Sequence, residues 1–182
     1  MKSMRKYVEF ASGTLALSAT LIATLVLLVV VFPALPIDGE MLDVMTGYTY
    51  AEAVAAMDGY GERGRQVYAW SSLTLDVLLP FVYVSFLAGF VYRFRPTDRL
   101  WTLACLPLAA GVLDLCENVQ IILLLTRYPD VSAGQVAVAS WFTVSKGYAA
   151  LSCLLLAIAL AAVAAVRRIR RGLREHARKA AN

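Results

Sequence analysis

Cysteine, histidine and charged residues are all scarce in this chain. Of its 182 residues, 3 are cysteine, 1 is histidine and 16% are charged. Cys105, Cys116 and Cys153 all fall inside apolar stretches. A disulfide framework and a CxxC thiol oxidase are therefore both excluded. We expect the three cysteines to pack as small core residues.

Long apolar stretches make up most of the sequence, which is 60% hydrophobic. Four of them, at about residues 11–32, 70–92, 100–125 and 136–166, are long enough to cross a bilayer as helices. They predict an all-α fold, a four-transmembrane-helix bundle that forms a single integral membrane domain over residues 1–182. The first stretch is longer than the apolar core of a signal peptide, and no small-x-small site follows Phe32, so we predict an uncleaved helix.

Charge is partitioned between the connecting segments. Basic residues cluster before the first stretch, between the second and third, and in a tail at residues 167–182, whereas the loop at residues 33–69 is acidic. The positive-inside rule then places both termini in the cytoplasm and the acidic loop outside, which fits a bacterial inner membrane. We expect the basic tail to contact anionic lipid headgroups, and we expect no nucleic-acid binding because no aromatic or motif context accompanies it.

The acidic outer loop contains a predicted short helix from Tyr50 to about Gly59. Thr49 and Glu52 have the spacing of a capping box, and the apolar side of the helix suits the membrane interface. Gly59, Gly61 and Gly64 match the letters of the dinucleotide fingerprint, but no βαβ unit surrounds them, so we reject that function. The glycines indicate a flexible joint, or a hinge that brings Arg63 or Arg65 over the outer mouth of the bundle.

Ionisable residues inside the apolar stretches are the most informative feature of the sequence. Asp114, Glu117 and Asn118 are spaced to share one face of the third stretch, and Lys146 lies well inside the fourth. Asp76, Pro80 and Tyr83 lie along one stripe of the second stretch. Pro80 has no N–H, so it should leave a backbone carbonyl free to accept a hydrogen bond within the bundle.

These residues predict one polar site in the outer half of the membrane, where ionisable groups are costly and usually functional. The predicted ligand or proton site consists of Asp76, Asp114, Glu117, Asn118, Lys146 and Tyr83. Three acids and one lysine would leave two surplus negative charges, so we expect at least one acid to be protonated at neutral pH. Carboxylates can also hold a hard cation, but Lys146 competes for that place, so we predict no metal and no cofactor.

The arrangement of Asp76 to Pro80 and of the Asp114, Glu117 and Asn118 patch resembles that of the EXPERA group, the emopamil-binding and sigma-2-like membrane proteins. That resemblance covers architecture and residue types over most of the chain, and it implies a small-molecule pocket. The single histidine, His176, lies in the tail. A histidine-assisted isomerase site of the kind found in that group is therefore not supported.

The favoured hypothesis is a polytopic membrane protein that binds or passes a small amphiphile, a cation or a proton, and is not an enzyme. One alternative is an enzyme that modifies a lipid or isoprenoid, with catalytic residues that the sequence does not identify. Another is a structural or assembly subunit whose buried charges only fix helix packing. Ala157, Ala161 and Ala165 form a small-residue ridge for close helix contact, either within the bundle or in a homodimer.

Overall fold

The computed structural model describes residues 2–180, with the side chains of residues 2–174 and 176. The tail side chains of Arg178 and Lys179 therefore lie outside the described residues. Within the described part, the chain is 87% helical, contains no strand and has five α-helices. The helices are α1 at Lys2–Ala11, α2 at Thr14–Val26, α3 at Tyr50–Phe94, α4 at Cys105–Arg127 and α5 at Ala133–Ala180.

Four of the described helical segments are long and apolar enough to cross a membrane, which is consistent with an integral membrane protein. They are Thr14–Ala34, Tyr50–Phe94, Asp98–Arg127 and Ala133–Arg174. The first continues α2 through a π turn and a 3-10 turn, and a 3-10 turn also leads into α4. Large apolar side chains on α2 and α5 face outward, among them Leu15, Ile22, Leu154 and Ile158. Such a surface suits hydrocarbon better than water.

The separate helix α1 was missed, and the first long apolar helical segment begins at Thr14, where the sequence suggested a start at about residue 11. The chain breaks at Ser12 and Gly13, where the Ser12 hydroxyl donates to the carbonyl of Glu9 at 2.6 Å and Gly13 adopts an extended ψ of 146°. The buried Val8 of α1 packs in a cluster with Val91 and Leu160. This tertiary contact explains why a short, charged segment is helical.

The predicted helix of the outer loop is the first part of α3. Thr49 is its N-cap, and the capping box with Glu52 is confirmed, since the backbone N–H of each of these residues donates to the side chain of the other. Gly61 interrupts the helix with a φ of 64°, a conformation that glycine adopts without steric cost. After this interruption α3 continues to Phe94 and contacts every other α-helix.

Two apolar clusters occupy opposite ends of the described fold. One combines the outer loop with the adjoining parts of α3, α4 and α5, and includes Leu42, Met57, Tyr68 and Leu124. The other surrounds Val8 at the far end of α3 and α5. The buried polar residues lie between the clusters along each helix: Ser72, Asp76, Asp114, Glu117, Asn118 and Thr143. The fold therefore places a polar layer between two apolar ones.

Candidate functional site

Lys146 of α5 contacts two acids of α4. Its Nζ lies 3.6 Å from Oδ1 of Asp114 and makes a closer contact with Oε2 of Glu117. The side chain of Glu117 is fully buried, that of Asp114 is 7% exposed and that of Lys146 is 18% exposed. One helical turn separates the two acids, so both point to the same side of α4. This contact joins α4 and α5 in the middle of the polar layer.

Asp76 joins the site through its backbone. Pro80 has no N–H, so the Asp76 carbonyl four residues earlier lacks its usual partner in α3. The side-chain amide of Asn118 donates to this carbonyl at 2.8 Å, and both residues are buried. The free carbonyl that Pro80 implied in the sequence thus accepts a hydrogen bond from the neighbouring helix.

The carboxyl group of Asp76 is placed differently from the expectation that three acids would meet one lysine. Among the described side chains, Lys146 makes close contacts with Asp114 and Glu117 and not with Asp76. The two acids in contact also belong to one helix rather than to separate ones. Asp76 is 5% exposed and lies close enough to interact electrostatically with the lysine and both acids. It is a neighbour of the contact and not a member of it.

Three hydroxyl groups border the polar layer. The buried hydroxyl of Tyr83 lies beside Asp114, and that of Tyr48 lies beside Thr143. Neither phenol hydroxyl has a hydrogen-bond partner of normal geometry among the described residues. The hydroxyl of Ser72 has none either. Burial raises the pKa of Tyr48, in the outer loop, to about 12. The Tyr48 hydroxyl stays protonated at physiological pH, as that of an unshifted tyrosine also would.

The bond from Asn118 to Asp76 gives a testable prediction. Replacing Asn118 with leucine should cost about 1–3 kcal/mol of unfolding free energy, because it leaves the buried carbonyl unpaired. In a Pro80→Ala background the new N–H of residue 80 can bond that carbonyl within α3, so the same replacement should cost less. Unfolding midpoints of the four variants in mixed micelles would give a coupling energy of about 1 kcal/mol or more. An equal cost in both backgrounds would contradict this hydrogen-bond exchange.

A cavity of about 360 Å³ lies between the outer loop and α5, and Lys146 reaches it. Its polar lining is Asp43, Thr46, Thr143 and Lys146, and its apolar lining is Val44, Met45, Val144, Tyr148 and Leu151. Tyr148 is 70% exposed and Val44 is 57% exposed, so the apolar side of the cavity opens at the surface of the described fold. The cavity thus combines a few polar groups with apolar walls.

Asp43 is a site residue that sequence reasoning missed. Tyr68 of α3 donates its hydroxyl to Oδ1 of Asp43 at 2.5 Å, and the backbone N–H of Asp43 donates back to that hydroxyl at 3.1 Å. These bonds fix Asp43 beside the cavity, where it interacts electrostatically with Lys146. In the sequence it looks like any other acid of the outer loop, and no local pattern marks it.

The outer loop is also fixed against α5. The backbone N–H of Tyr48 donates to the hydroxyl of Ser140 at 2.9 Å. Gly47 has a φ of 117°, and an added Cβ would lie 2.8 Å from Cγ2 of Val144. Only glycine meets both demands, the left-handed backbone and the close approach. The loop therefore forms one wall of the cavity by direct docking.

Arg63 and Arg65 do not lie over this cavity. Arg65 donates to the carbonyl of Met57 at 2.8 Å, and its guanidinium stacks 4.4 Å from the ring centre of Tyr128. Arg63 lines a different cavity, beside Leu35 and Trp70. Neither arginine lines the cavity beside Lys146, and the expected outer mouth at Arg63 and Arg65 stays a prediction.

Metal-ligating side chains are not grouped in the described part of the chain, where no set of three or more His, Cys, Asp or Glu residues could hold an ion. The fold and the site together define the class of protein: an all-α chain with four potential membrane spans and a polar layer beside a cavity. Comparison of the chain with protein-family models, curated proteins and solved structures gave no match. The chemistry of the site is therefore what indicates the function of this chain.

Proposed function

We propose that the protein is an integral membrane protein in which the four long helices cross the bilayer as one bundle. Both termini are cytoplasmic and the loop at residues 33–69 is outside, in a bacterial inner membrane. The outward-facing apolar side chains of α2 and α5 support the membrane placement. The basic residues around α1, after α3 and at the end of α5, opposite the acidic loop, support the orientation.

Within that bundle, the cavity beside Lys146 binds a small amphiphile with a cationic head. The observation that carries this proposal is the combination of apolar walls open to the surface with an acidic polar layer behind them. An apolar tail would lie against Tyr148 and Leu151, and the head would reach Asp43. Binding sites for small molecules commonly combine apolar walls with a few polar groups that fix the orientation.

The charge balance favours a cationic head over an anionic one. Four acids, Asp43, Asp76, Asp114 and Glu117, interact electrostatically with the single Lys146. Lys146 is already in contact with Asp114 and Glu117. Fully ionised, the group would carry a formal surplus of three negative charges, since four acids oppose one lysine. A ligand cation, or protons on some of the acids, would reduce that surplus in a low-dielectric site.

The proposal can be tested by photolabelling of the purified chain. The probe is a dodecylamine that carries a diazirine on its tail, and mass spectrometry identifies the labelled peptide. We expect label on α5 near Tyr148 and Leu151. Dodecyltrimethylammonium should compete with the probe, whereas dodecyl sulfate should not. Labelling at a defined cavity should also saturate as the probe concentration rises, unlike labelling that follows general partitioning into the micelle.

Gly147→Leu is the blocking variant, because an added Cβ at this cavity-lining residue has no heavy atom within 4 Å. The leucine should fill the cavity without disturbing packing and should abolish the saturable labelling. Gly172→Leu is the matched control on α5, since its Cβ also has no heavy atom within 4 Å and it does not line the cavity. Equal labelling of both variants, or competition by sulfate in place of the cation, would refute a cation-binding cavity.

The alternatives make different predictions for Glu117→Gln. Proton passage by the buried acids should give transport that depends on pH and membrane potential, and the substitution should abolish it. A lipid-modifying enzyme should lose turnover and keep its fold. A structural subunit should lose abundance or assembly instead. Ala157 is buried within the fold and Ala165 is exposed. The alanine ridge therefore supports packing inside the bundle, and a homodimer would have to use the cytoplasmic end of the ridge.

A further inference from the structure

Another cavity, of about 380 Å³, lies away from the polar layer, between the end of α3 and residues 163–171 of α5. Five arginines line it: Arg93, Arg95, Arg167, Arg168 and Arg171. Phe94, Val163 and Ala164 form its apolar wall. No acidic side chain is among its described lining residues. This cavity is separate from the polar layer and plays no part in the amphiphile proposal.

Three of the arginines are fixed in place by contacts that leave donors unused. Arg93 donates to the Thr14 hydroxyl at 3.0 Å, and Arg167 donates to the carbonyl of Pro96 at 3.1 Å. Arg95 stacks 3.7 Å from the ring centre of Tyr92 and bonds Asp98 at 2.8 Å. Because a guanidinium has five N–H donors, each of these side chains keeps capacity for an anion.

Two further observations indicate that the cavity has capacity for an anion. The buried Nε of Arg95 has no hydrogen-bond partner among the described residues. Arg168 makes no hydrogen bond or ion contact with any described side chain. Asp98 is the one acid that contacts these arginines in the described structure, and it also bonds Arg5 at 2.7 Å. Asp98 is therefore shared between Arg95 and Arg5.

We infer that this cavity is a binding site for the phosphate group of an anionic phospholipid in the cytoplasmic leaflet. Arginine binds phosphate with two parallel hydrogen bonds, and basic pockets between membrane helices suit lipid headgroups. The apolar wall formed by Phe94, Val163 and Ala164 gives the first part of an acyl chain a surface to contact. The lipid source depends on the membrane placement proposed above, whereas the phosphate chemistry does not.

Native mass spectrometry of the purified full chain tests the site with dioleoylphosphatidylglycerol as the probe. Dioleoylphosphatidylcholine, with the same tails, is the comparison lipid. Inorganic phosphate and glycerophosphoglycerol form the soluble arms. We expect saturable binding of the anionic lipid that is stronger than that of phosphatidylcholine and of both soluble anions. Binding of inorganic phosphate as tight as that of the lipid would instead assign the site to a free anion.

Arg168→Gln and Arg170→Gln are the matched variants, because both arginines are exposed on α5 but only Arg168 lines the cavity. The first should weaken lipid binding on the order of tenfold, as expected for a lost arginine–phosphate contact. The second should change it less than about threefold, through diffuse charge alone. Equal losses of lipid affinity in the two variants would show that the basic region attracts the lipid only by its overall charge, and would overturn the proposed site. Arg168→Gln should leave dodecylamine labelling at Tyr148 unchanged, so failure of one proposal is separable from failure of the other.

Discussion

Replacing Lys146 with methionine is expected to lower the free energy of unfolding by about 3–5 kcal/mol. The reason is the position of the lysine, whose Nζ contacts both Asp114 and Glu117 while all three side chains are mostly buried. Methionine preserves most of the volume but leaves two acids without a counter-charge. The acids must then be protonated or stay charged at high cost.

Unfolding of the purified protein in mixed micelles would measure this loss. The double variant Lys146→Met/Glu117→Gln should recover part of it, because one of the two uncompensated acids becomes neutral. Arg5→Met is the control for removal of a basic residue from an exposed contact, since Arg5 and Asp98 are 44% and 60% exposed. Exposed pairs contribute little to stability, so this variant should resemble the wild type.

The same series separates a structural site from a functional one. If Lys146→Met lowers the free energy of unfolding no more than Arg5→Met does, the contact of Lys146 with Asp114 and Glu117 does not stabilise the bundle. If the double variant is as stable as the wild type and has lost amphiphile labelling, the charges serve the ligand. If the double variant is stable and is still labelled by the dodecylamine probe, the acids of α4 do not recognise the cationic head, and Asp43 is the acid that remains to do so.

Replacing Gly89 with alanine is expected to be the most damaging single-methyl addition in the described chain. An added Cβ would lie 2.3 Å from the carbonyl oxygen of Ala11 and 2.5 Å from its carbonyl carbon. Both are backbone atoms at the junction of α1 and α2, so no side-chain rotation can relieve the overlap. The junction must move away from α3, which should cost roughly 3 kcal/mol, the upper end of the usual range for overpacking.

Gly59→Ala is the control for this substitution because it lies in the same helix and its Cβ meets no heavy atom within 4 Å. Alanine is the better helix former, so Gly59→Ala should stabilise the protein by about 0.5–1 kcal/mol. Opposite signs for the two variants in thermal unfolding would support the close contact at Gly89. A Gly89→Ala variant as stable as the control would show that α1 and the junction do not pack against α3 as described.

The sequence predicted much of the local structure because the relevant forces are local. The capping box of Thr49 and Glu52, the break near Gly61 and the carbonyl freed by Pro80 all follow from backbone chemistry within a few residues. Most of each long apolar stretch falls inside a helix for a similar reason, since a run of about 20 apolar residues favours one continuous helix. The helix α1 escaped prediction because packing of Val8 against distant residues stabilises it.

The candidate site could be predicted only in part. The spacing of Asp114, Glu117 and Asn118 put them on one face of a helix, and Lys146 was the obvious basic partner on charge alone. The position of Asp43 depends on its bonds to Tyr68, 25 residues away, and the cavity depends on Tyr48 docking on Ser140, 92 residues away. The contacts of Arg65 with Met57 and Tyr128 had no signal in the sequence either, because nothing local shows which carbonyl or ring an arginine will meet.

The sequence alone determined the helical class, the four apolar segments and the residues whose burial requires a polar layer, because these depend on composition and on the fixed geometry of one helix. Only the tertiary structure decided which acids contact Lys146, which loop residue joins them and where the cavities open. Those choices depend on how helices separated by tens of residues approach one another, and the free energy of that approach is shared among many contacts that no local pattern records.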